Sequence, residues 1–558
     1  MATLTKTNLK TPLEMLYGWE KSQPEKVYMT QPLGSQYLTW TWGQATEEIR
    51  KMAAAIESRG YAPGSRIAIL SKNCAHWIRA DLTIMMSGHI SVPIYPNVNA
   101  GTVSYILDHS EAQLLFVGKL DAHDWKEMQK GIPAGLECIS FGIYDTLPGM
   151  EGYTTWNDTI SQHQPMAANP TRDLNEMMTI IYTSGTTGTP KGVVLNFVSP
   201  VFAIEAFNDI FSLTKADKFF SYLPMSHIAE RMLITMGTLR CGGSVNFAHS
   251  LETFKDDLVK GSPTIFLGVP RIWAKFQSGV LAKFSPSKLN LLLSIPILNN
   301  VIRKKIREAL GLSNARVCLT GAAPMPKAHL EWYKNLGISI YEVYGMTENA
   351  AYSHSNLPGQ YRFGTVGKPM PNLEMKITEE GEICVKSLAN MVEYYREPEK
   401  TAETIRDGFL HTGDKGVVDP DGFVRITGRV KDLFKTSKAK YVAPNPIEML
   451  LSKNEYIEQV CVVGSNIPQP IALVVLSEKG RAKDREEIAA SIKETLAEVN
   501  PQLEHHEKLQ NAVVVQGEWT TDNGILTPSL KIKRGAVDDK YEAHYEKWYE
   551  TGKGVVWE

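Results

Sequence analysis

The sequence predicts an α/β protein: a large N-terminal domain of layered α/β subdomains with a small β subdomain, followed by an α+β C-terminal domain. Three observations lead there. Residues 63–96 alternate short apolar runs (SRIAIL, HISVPIY) with a segment of helical length, NCAHWIRADLTIMMSG, which is the rhythm of a βαβ unit. After about residue 370 the chain changes to short alternating runs broken by Gly-Asp and Asp-Gly pairs, as in GFLHTGDKGVVDPDGFVRITGR, the pattern of antiparallel hairpins. From Val430 onward a charged segment leads into two apolar strands, QVCVVGS and PIALVVLS, and a charged helix, REEIAASIKETLAEV, a compact α+β module.

Taken in order, the first rhythm continues through LLFVGK, ECISFG, TIIYTS, FFSYLP, TIFLGVP, RVCLTG and ISIYEVYG. Each run ends in small or polar residues, where an α/β sheet presents its ligands, so several loops are expected to converge on one side. The domain boundary is expected near residues 429–431, giving domains 1–429 and 430–558. A chain of 558 residues has room for two to four domains at roughly 150 residues each.

Composition narrows the function classes. Hydrophobic residues make up 43% and charged residues 22%, the balance of a folded globular protein rather than a disordered or fibrous one. With 59 Lys plus Arg against 61 Asp plus Glu, there is no basic excess to hold nucleic acid by counterion release. The six cysteines (Cys74, Cys138, Cys241, Cys318, Cys384, Cys461) form no CxxC pair, which argues against zinc and disulfides and for a reducing compartment. The polar N-terminus lacks the apolar core of a signal peptide, and no apolar run reaches the roughly 18 residues that span a bilayer. A cytoplasmic protein is expected. Residues 289–302 (LNLLLSIPILNNVI), followed by RKKIR, admit two readings: a peripheral contact with an anionic membrane, or a core helix broken at Pro296 with a solvated end. The sequence sets no oligomeric state.

The strongest chemical signal is at residues 180–194, IIYTSGTTGTPKGVV. An apolar strand runs into a loop in which Gly185 and Gly188 let backbone N–H groups approach anionic oxygens. The hydroxyls of Thr183, Ser184, Thr186, Thr187 and Thr189 add donors, and Lys191 adds charge. That is a polyphosphate cradle, and with no GK[ST] it is not the Walker A form.

This loop resembles the first core motif of the AMP-forming acyl-CoA synthetase superfamily, and further motifs in order extend the resemblance over nearly the whole chain, toward the long-chain fatty acyl-CoA synthetase branch. In residues 341–349 (YEVYGMTEN) the resemblance implies that Tyr344 stacks on adenine, beside Gly345 and Met346. Thr347 then bonds the α-phosphate, and Glu348, with Thr186, holds Mg²⁺, a hard cation that prefers carboxylate and phosphate oxygens. The small residues Gly321, Ala322 and Ala323 of TGAAP would line adenine. Asp414 in HTGD and Arg429 in ITGR would face the ribose hydroxyls, a task suited to a charged acceptor. His227 in LPMSHIAER would gate and orient the carboxylate, and GVPRIW (268–273) is similar to a stretch typical of the long-chain branch. Lys531 in NGILTPSLKIKR aligns with the catalytic lysine, with Lys533 as its rival if the register slips by two. Lys431 matches the hinge about which a mobile C-terminal domain rotates between half-reactions. The loop holding Ser437, Lys438 and Ala439 would then swing in for the CoA step.

Two departures stand out. Ala439 occupies a position where the family usually has glycine, and alanine resists positive φ and close backbone approach. Asn196 and Phe197 follow the phosphate loop where threonine and histidine are common. The expected activity is ATP-dependent conversion of a long or medium-chain fatty acid to acyl-AMP, then to a thioester with CoA. The co-substrates are ATP and CoA, with Mg²⁺. The alternatives are an adenylating ligase with another acceptor such as a carrier protein, a noncatalytic nucleotide- or acyl-binding relative, and a substrate that is aromatic or branched.

Overall fold

The computed structural model describes residues 6–144, 147–184, 189–528, 530–552 and 554–558. The chain divides into two compact units, one of residues 1–183, 190–374 and 385–410, the other of residues 184–189, 375–384 and 411–558.

In the first unit, strands Arg66–Leu70, Ile90–Ile94, Ala112–Val117 and Glu137–Ser140 pair in parallel, and Met177–Ser184 joins them through Ile90–Ile94. Their near-continuous apolar runs suit strands covered on both faces. Ile90–Ile94 is buried at every residue, as is the intervening helix Ala75–Met86. The later strands, Lys218–Ser221, Ile265–Leu267, Val317–Thr320 and Ile340–Tyr344, also pair in parallel, but in a second sheet. The single series of runs in the sequence therefore splits in two, and its loops do not all leave one sheet. Long-range pairing causes the split: Lys218–Ser221 takes Ser244–Phe247 as its neighbour, and that strand pairs with Val27–Leu33 near the N-terminus.

A buried ion pair ties the second sheet's connecting helix to the first. Arg231 donates to both carboxylate oxygens of Asp81 at 3.0 and 2.7 Å, and also to Thr179 Oγ1 and Ser91 Oγ. With all three guanidinium nitrogens hydrogen-bonded, such a pair fixes one packing arrangement, while removal of either partner strands a buried charge.

The second unit contains the expected hairpin, Phe409–Val418 against Val424–Arg429, with Asp414 opposite Arg429. It also holds a four-stranded sheet of Ile457–Val463, Ile471–Leu476, Ala512–Val514 and Val555–Trp557. Alternation along these strands feeds two apolar layers. Val460, Val462, Ala472 and Val474 pack with Ile488, Ile492 and Leu496 of helix Arg485–Val499, while Cys461, Val463, Leu473 and Val475 pack with Val537, Tyr541 and Trp548.

The stretch 289–302 departs from a core helix. It breaks at Pro296 as expected, into helices Pro286–Ser294 and Pro296–Ala309, but each buries only one residue, Leu289 and Ile306. Pro296 can begin a helix because its missing N–H has no partner to lose there, whereas inside a helix it removes a hydrogen bond. Among the described residues no helix is long and apolar enough to cross a membrane.

Candidate active site

In the first unit the candidate residues stand at strand ends and at one helix N-terminus; in the second unit, taken by itself, they stand on a hairpin and two turns. Strand Met177–Ser184 leads into the hydroxyl-rich loop, and Pro190–Asn196 returns from it. Gly185, Thr186, Thr187 and Gly188 lie outside the described residues, while Thr183 is half-buried at the strand end. Beyond the loop, the Lys191 ammonium stands 5.2 Å from the centroid of the Tyr394 ring, within cation–π range. The Tyr394 hydroxyl donates to Glu348 Oε1 at 2.8 Å. One aromatic residue therefore joins the lysine of the first motif to the carboxylate of the second. Burial, and next the Glu348 charge, push the Tyr394 phenol far above its ordinary pKa, so it stays a donor.

Tyr394 reaches this position because Glu393–Tyr394 pairs antiparallel with Pro190–Asn196, and its N–H donates to Thr401 Oγ1 at 2.9 Å. Sequence reasoning missed it. Within EYYREPEK nothing distinguishes it from a core tyrosine.

Strand Ile340–Tyr344 delivers the second motif, and the chain then turns into a short helix, Thr347–Asn349. Asn349 Oδ1 accepts from Met346 N at 2.8 Å, and Ala351 N donates to Met346 O, closing the turn that fixes the buried Glu348. Gly345 is required there, since a Cβ would lie 2.4 Å from the carbonyl carbon of Ala351. Tyr344 and Thr347 are half-buried beside it, and the Tyr344 ring lies 5.8 Å from His354. Val317–Thr320 pairs with this strand and ends at Gly321, where a Cβ would meet Val343 at 2.9 Å. Ala322 then adopts a left-handed backbone, φ +65°, with Ala322 and Ala323 exposed.

Two buried carboxyls missed by sequence reasoning support these loops. Glu342 lies within the second motif; burial raises its pKa to about 8, opposed by backbone N–H groups of Gly364 and Met325, and its Oε2 has no hydrogen-bond partner among the described residues. Glu230 is likewise raised to about 8 by burial and accepts from Ser221 Oγ at 2.9 Å and Tyr222 N at 3.0 Å. Its hold on Tyr222 anchors the far end of the segment that carries His227. His227 caps helix Ile228–Arg231, its Nδ1 accepting from Ala229 N at 3.2 Å. An accepting Nδ1 places the neutral ring's proton on Nε2, making that nitrogen a donor suited to a carboxylate.

In the second unit the hairpin register sets Asp414 beside Arg429, whose Nε donates to Asp414 Oδ1 at 2.9 Å. The turn before Asp414 is fixed by Glu382, which accepts from Gly413 N at 2.9 Å and lies 2.7 Å from His411 Nδ1. Lys431 is exposed directly after the strand. Ser437, Lys438 and Ala439 form an exposed turn between Phe434–Lys435 and Tyr441–Val442, closed by Ala439 N to Thr436 O and Thr436 N to Lys440 O, both 2.9 Å. Ala439 is left-handed there, φ +58°, the conformation that glycine adopts without steric cost.

Lys531 is exposed on a second turn, its N–H donating to Thr527 Oγ1 and its carbonyl accepting from Thr527 N. Lys533 instead precedes helix Arg534–Tyr541 and donates its N–H to Ile525 O. Arg534 anchors that helix by donating to both Glu448 oxygens at 2.7 and 2.6 Å. The departures after the phosphate loop serve packing: Phe197 is buried under the Arg172 guanidinium, and Asn196 donates to Asn175 O.

The chain is 28% identical to long chain acyl-CoA synthetase 2 of Arabidopsis thaliana, over 98% of this chain and 91% of that protein. It is 27% identical to the long-chain-fatty-acid–CoA ligase FadD15 of Mycobacterium bovis, over 96% of each. In fold it is similar to the adenylation domain of a carboxylate reductase from Mycobacterium chelonae, with TM-score 0.80, 22% identity and coverage of 97% and 91%. It is similar also to an anthranilate CoA ligase solved with anthranoyl-AMP, with TM-score 0.77, 21% identity and coverage of 96% and 98%. A family model described as AMP-binding enzyme matches residues 17–395, and one described as AMP-binding enzyme C-terminal domain matches residues 431–553; the chain belongs to the AMP-binding enzyme family.

Proposed function

We propose that this protein is an ATP-dependent, AMP-forming ligase that activates a long or medium-chain fatty acid as acyl-AMP and transfers the acyl group to CoA. The observation that carries the reading is the Lys191–Tyr394–Glu348 contact. It places an ammonium and a carboxylate around one aromatic residue, and in the sequence Lys191 closes a stretch rich in hydroxyls. A carboxylic acid becomes a good acyl donor only when its oxygen is made a good leaving group, and attaching AMP does this.

In this reading the loop of Thr183 to Lys191 holds the phosphates, Thr347 bonds the α-phosphate, and Tyr344 with the 321–323 backbone takes adenine. Asp414 and Arg429 meet the ribose. His227, donating from Nε2, orients the acid for in-line attack on the α-phosphorus, with pyrophosphate leaving. The buried Glu348 carboxylate is the donor a hard cation takes, so Mg²⁺ would be held by Glu348 with Thr186, where it neutralises phosphate charge. Lys531 steadies negative charge gathering at the α-phosphate, a pair worth about 4 kcal/mol at 4 Å and an effective dielectric of 20. The domain boundary lies at 429–431, with Lys431 as hinge.

Lys531→Ala is the test. Loss of pyrophosphate release with a fatty acid by about a hundredfold or more, at unchanged melting temperature, supports the assignment; undiminished release removes Lys531 from the reaction.

A second reading, another acyl acceptor in place of CoA, rests on Ala439. Against it, Ala439 takes the left-handed backbone that glycine would, so the turn closes at a cost of about 1 kcal/mol.

A further inference from the structure

The fifty residues 258–307 carry nine Lys or Arg and not one Asp or Glu, in a chain whose acidic residues outnumber its basic ones. Their C-terminal half is the helical hairpin Pro286–Ser294 and Pro296–Ala309. Leu289, Leu293, Ile302 and Ile306 pack on the core of the first unit. The hairpin keeps a second apolar face: Leu291 is 64% exposed and Ile297 83%, with Ile295, Leu298 and Val301 also exposed. A helix apolar on both sides is normally buried on both, and clustered exposed hydrophobes mark an interaction surface.

The flanking charges indicate what covers it. Lys283, Lys288, Lys304 and Lys305 are exposed around these residues. Arg303 and Arg307 donate to backbone carbonyls of Asn335 and Ser313, and Lys304 lies 3.9 Å from Glu308. Apolar side chains ringed by cations fit the boundary between acyl chains and anionic headgroups. Within 258–307 no carboxylate opposes such a surface, and Glu308, the one acidic residue of the hairpin, stands beside Lys304. We infer that the hairpin 286–309 is a docking element for anionic lipid bilayers, lying in the interface with Leu291, Ile297 and Val301 inserted and Lys283, Lys288, Lys304 and Lys305 against the headgroups. Neither helix is long enough to span, so the contact is peripheral.

The test is sedimentation of the full chain with phosphatidylcholine vesicles, with and without phosphatidylglycerol, in low and high salt. Binding is expected only with phosphatidylglycerol and is expected to weaken with salt. Lys304→Gln with Lys305→Gln should weaken it about thirtyfold, at roughly 1 kcal/mol per cation removed. Ile297→Glu, a change at an exposed position, should abolish it with the melting temperature unchanged. The readout is independent of the proposed reaction. The inference is overturned if the chain ignores phosphatidylglycerol vesicles, or if it binds them and both variants bind as well as the original. It is also overturned if vesicles are not bound and sedimentation velocity shows a dimer that Ile297→Glu splits, since a second copy then covers the face.

Discussion

Tyr394 links Lys191 to Glu348, the two charged residues of the proposed nucleotide site in the first unit, and its hydroxyl is separable from its ring. Tyr394→Phe keeps the ring under Lys191 and deletes the bond to Glu348. A hydrogen bond to a charged group is worth about 1.5–3 kcal/mol, so adenylation should fall about tenfold to a hundredfold while the fold persists. Pyrophosphate release and thermal melting of the same variant check this, and unchanged release would free Glu348 of any dependence on Tyr394. Glu230 makes a prediction of opposite character. Its carboxyl titrates near 8 in the folded chain against an ordinary 4.5, so the folded state keeps a proton that the unfolded state has lost. The stability this provides is full below pH 4.5 and is lost as pH rises through 8. Glu230→Gln preserves an acceptor for Ser221 and Tyr222 and should flatten the fall of melting temperature between pH 5 and 8.5, with Glu342 supplying the remaining slope. An equally steep fall in the variant would contradict the burial argument.

Among the elements, the turn at 436–440 carries a backbone strain that one substitution relieves. Ala439 lies at φ +58°, and Ala439→Gly should stabilise the protein by about 1 kcal/mol, less the entropy glycine gains in the unfolded chain. It is expected to leave adenylation unchanged and to maintain or raise the rate of the thioester step. A drop in acyl-CoA formation would mean that the alanine methyl itself is used. Strands, unlike such turns, were readable in advance. Runs such as RIAIL and ISVPI are apolar at all but one position because both of their faces are covered, and that pattern is local. The division of those runs between two sheets was not readable, since it depends on Val27–Leu33 pairing with a strand more than two hundred residues away. The hairpin 286–309 shows the same limit: its break is written in Pro296, but which side of each helix meets the core is not.

For the whole molecule, the candidate chemistry was legible where residue type and spacing carried it and silent where tertiary contact did. Lys191, Glu348, Asp414 and Arg429 stood out as charged residues in turn-forming company. Tyr394 acts through a partner far away in sequence, and Glu230 and Glu342, although they fall within the quoted motifs, act through burial that residue type and spacing do not show. The reading of the molecule as a two-step ligase joins the first unit's acyl and nucleotide residues to the second unit's Lys531 and Ala439. Its most direct test measures AMP, pyrophosphate and acyl-CoA production, with and without CoA, over acids from C4 to C18 and benzoate. The account predicts pyrophosphate release with a medium or long-chain fatty acid and stoichiometric acyl-CoA when CoA is present. Pyrophosphate release that ignores CoA, or no release with any fatty acid, would contradict it.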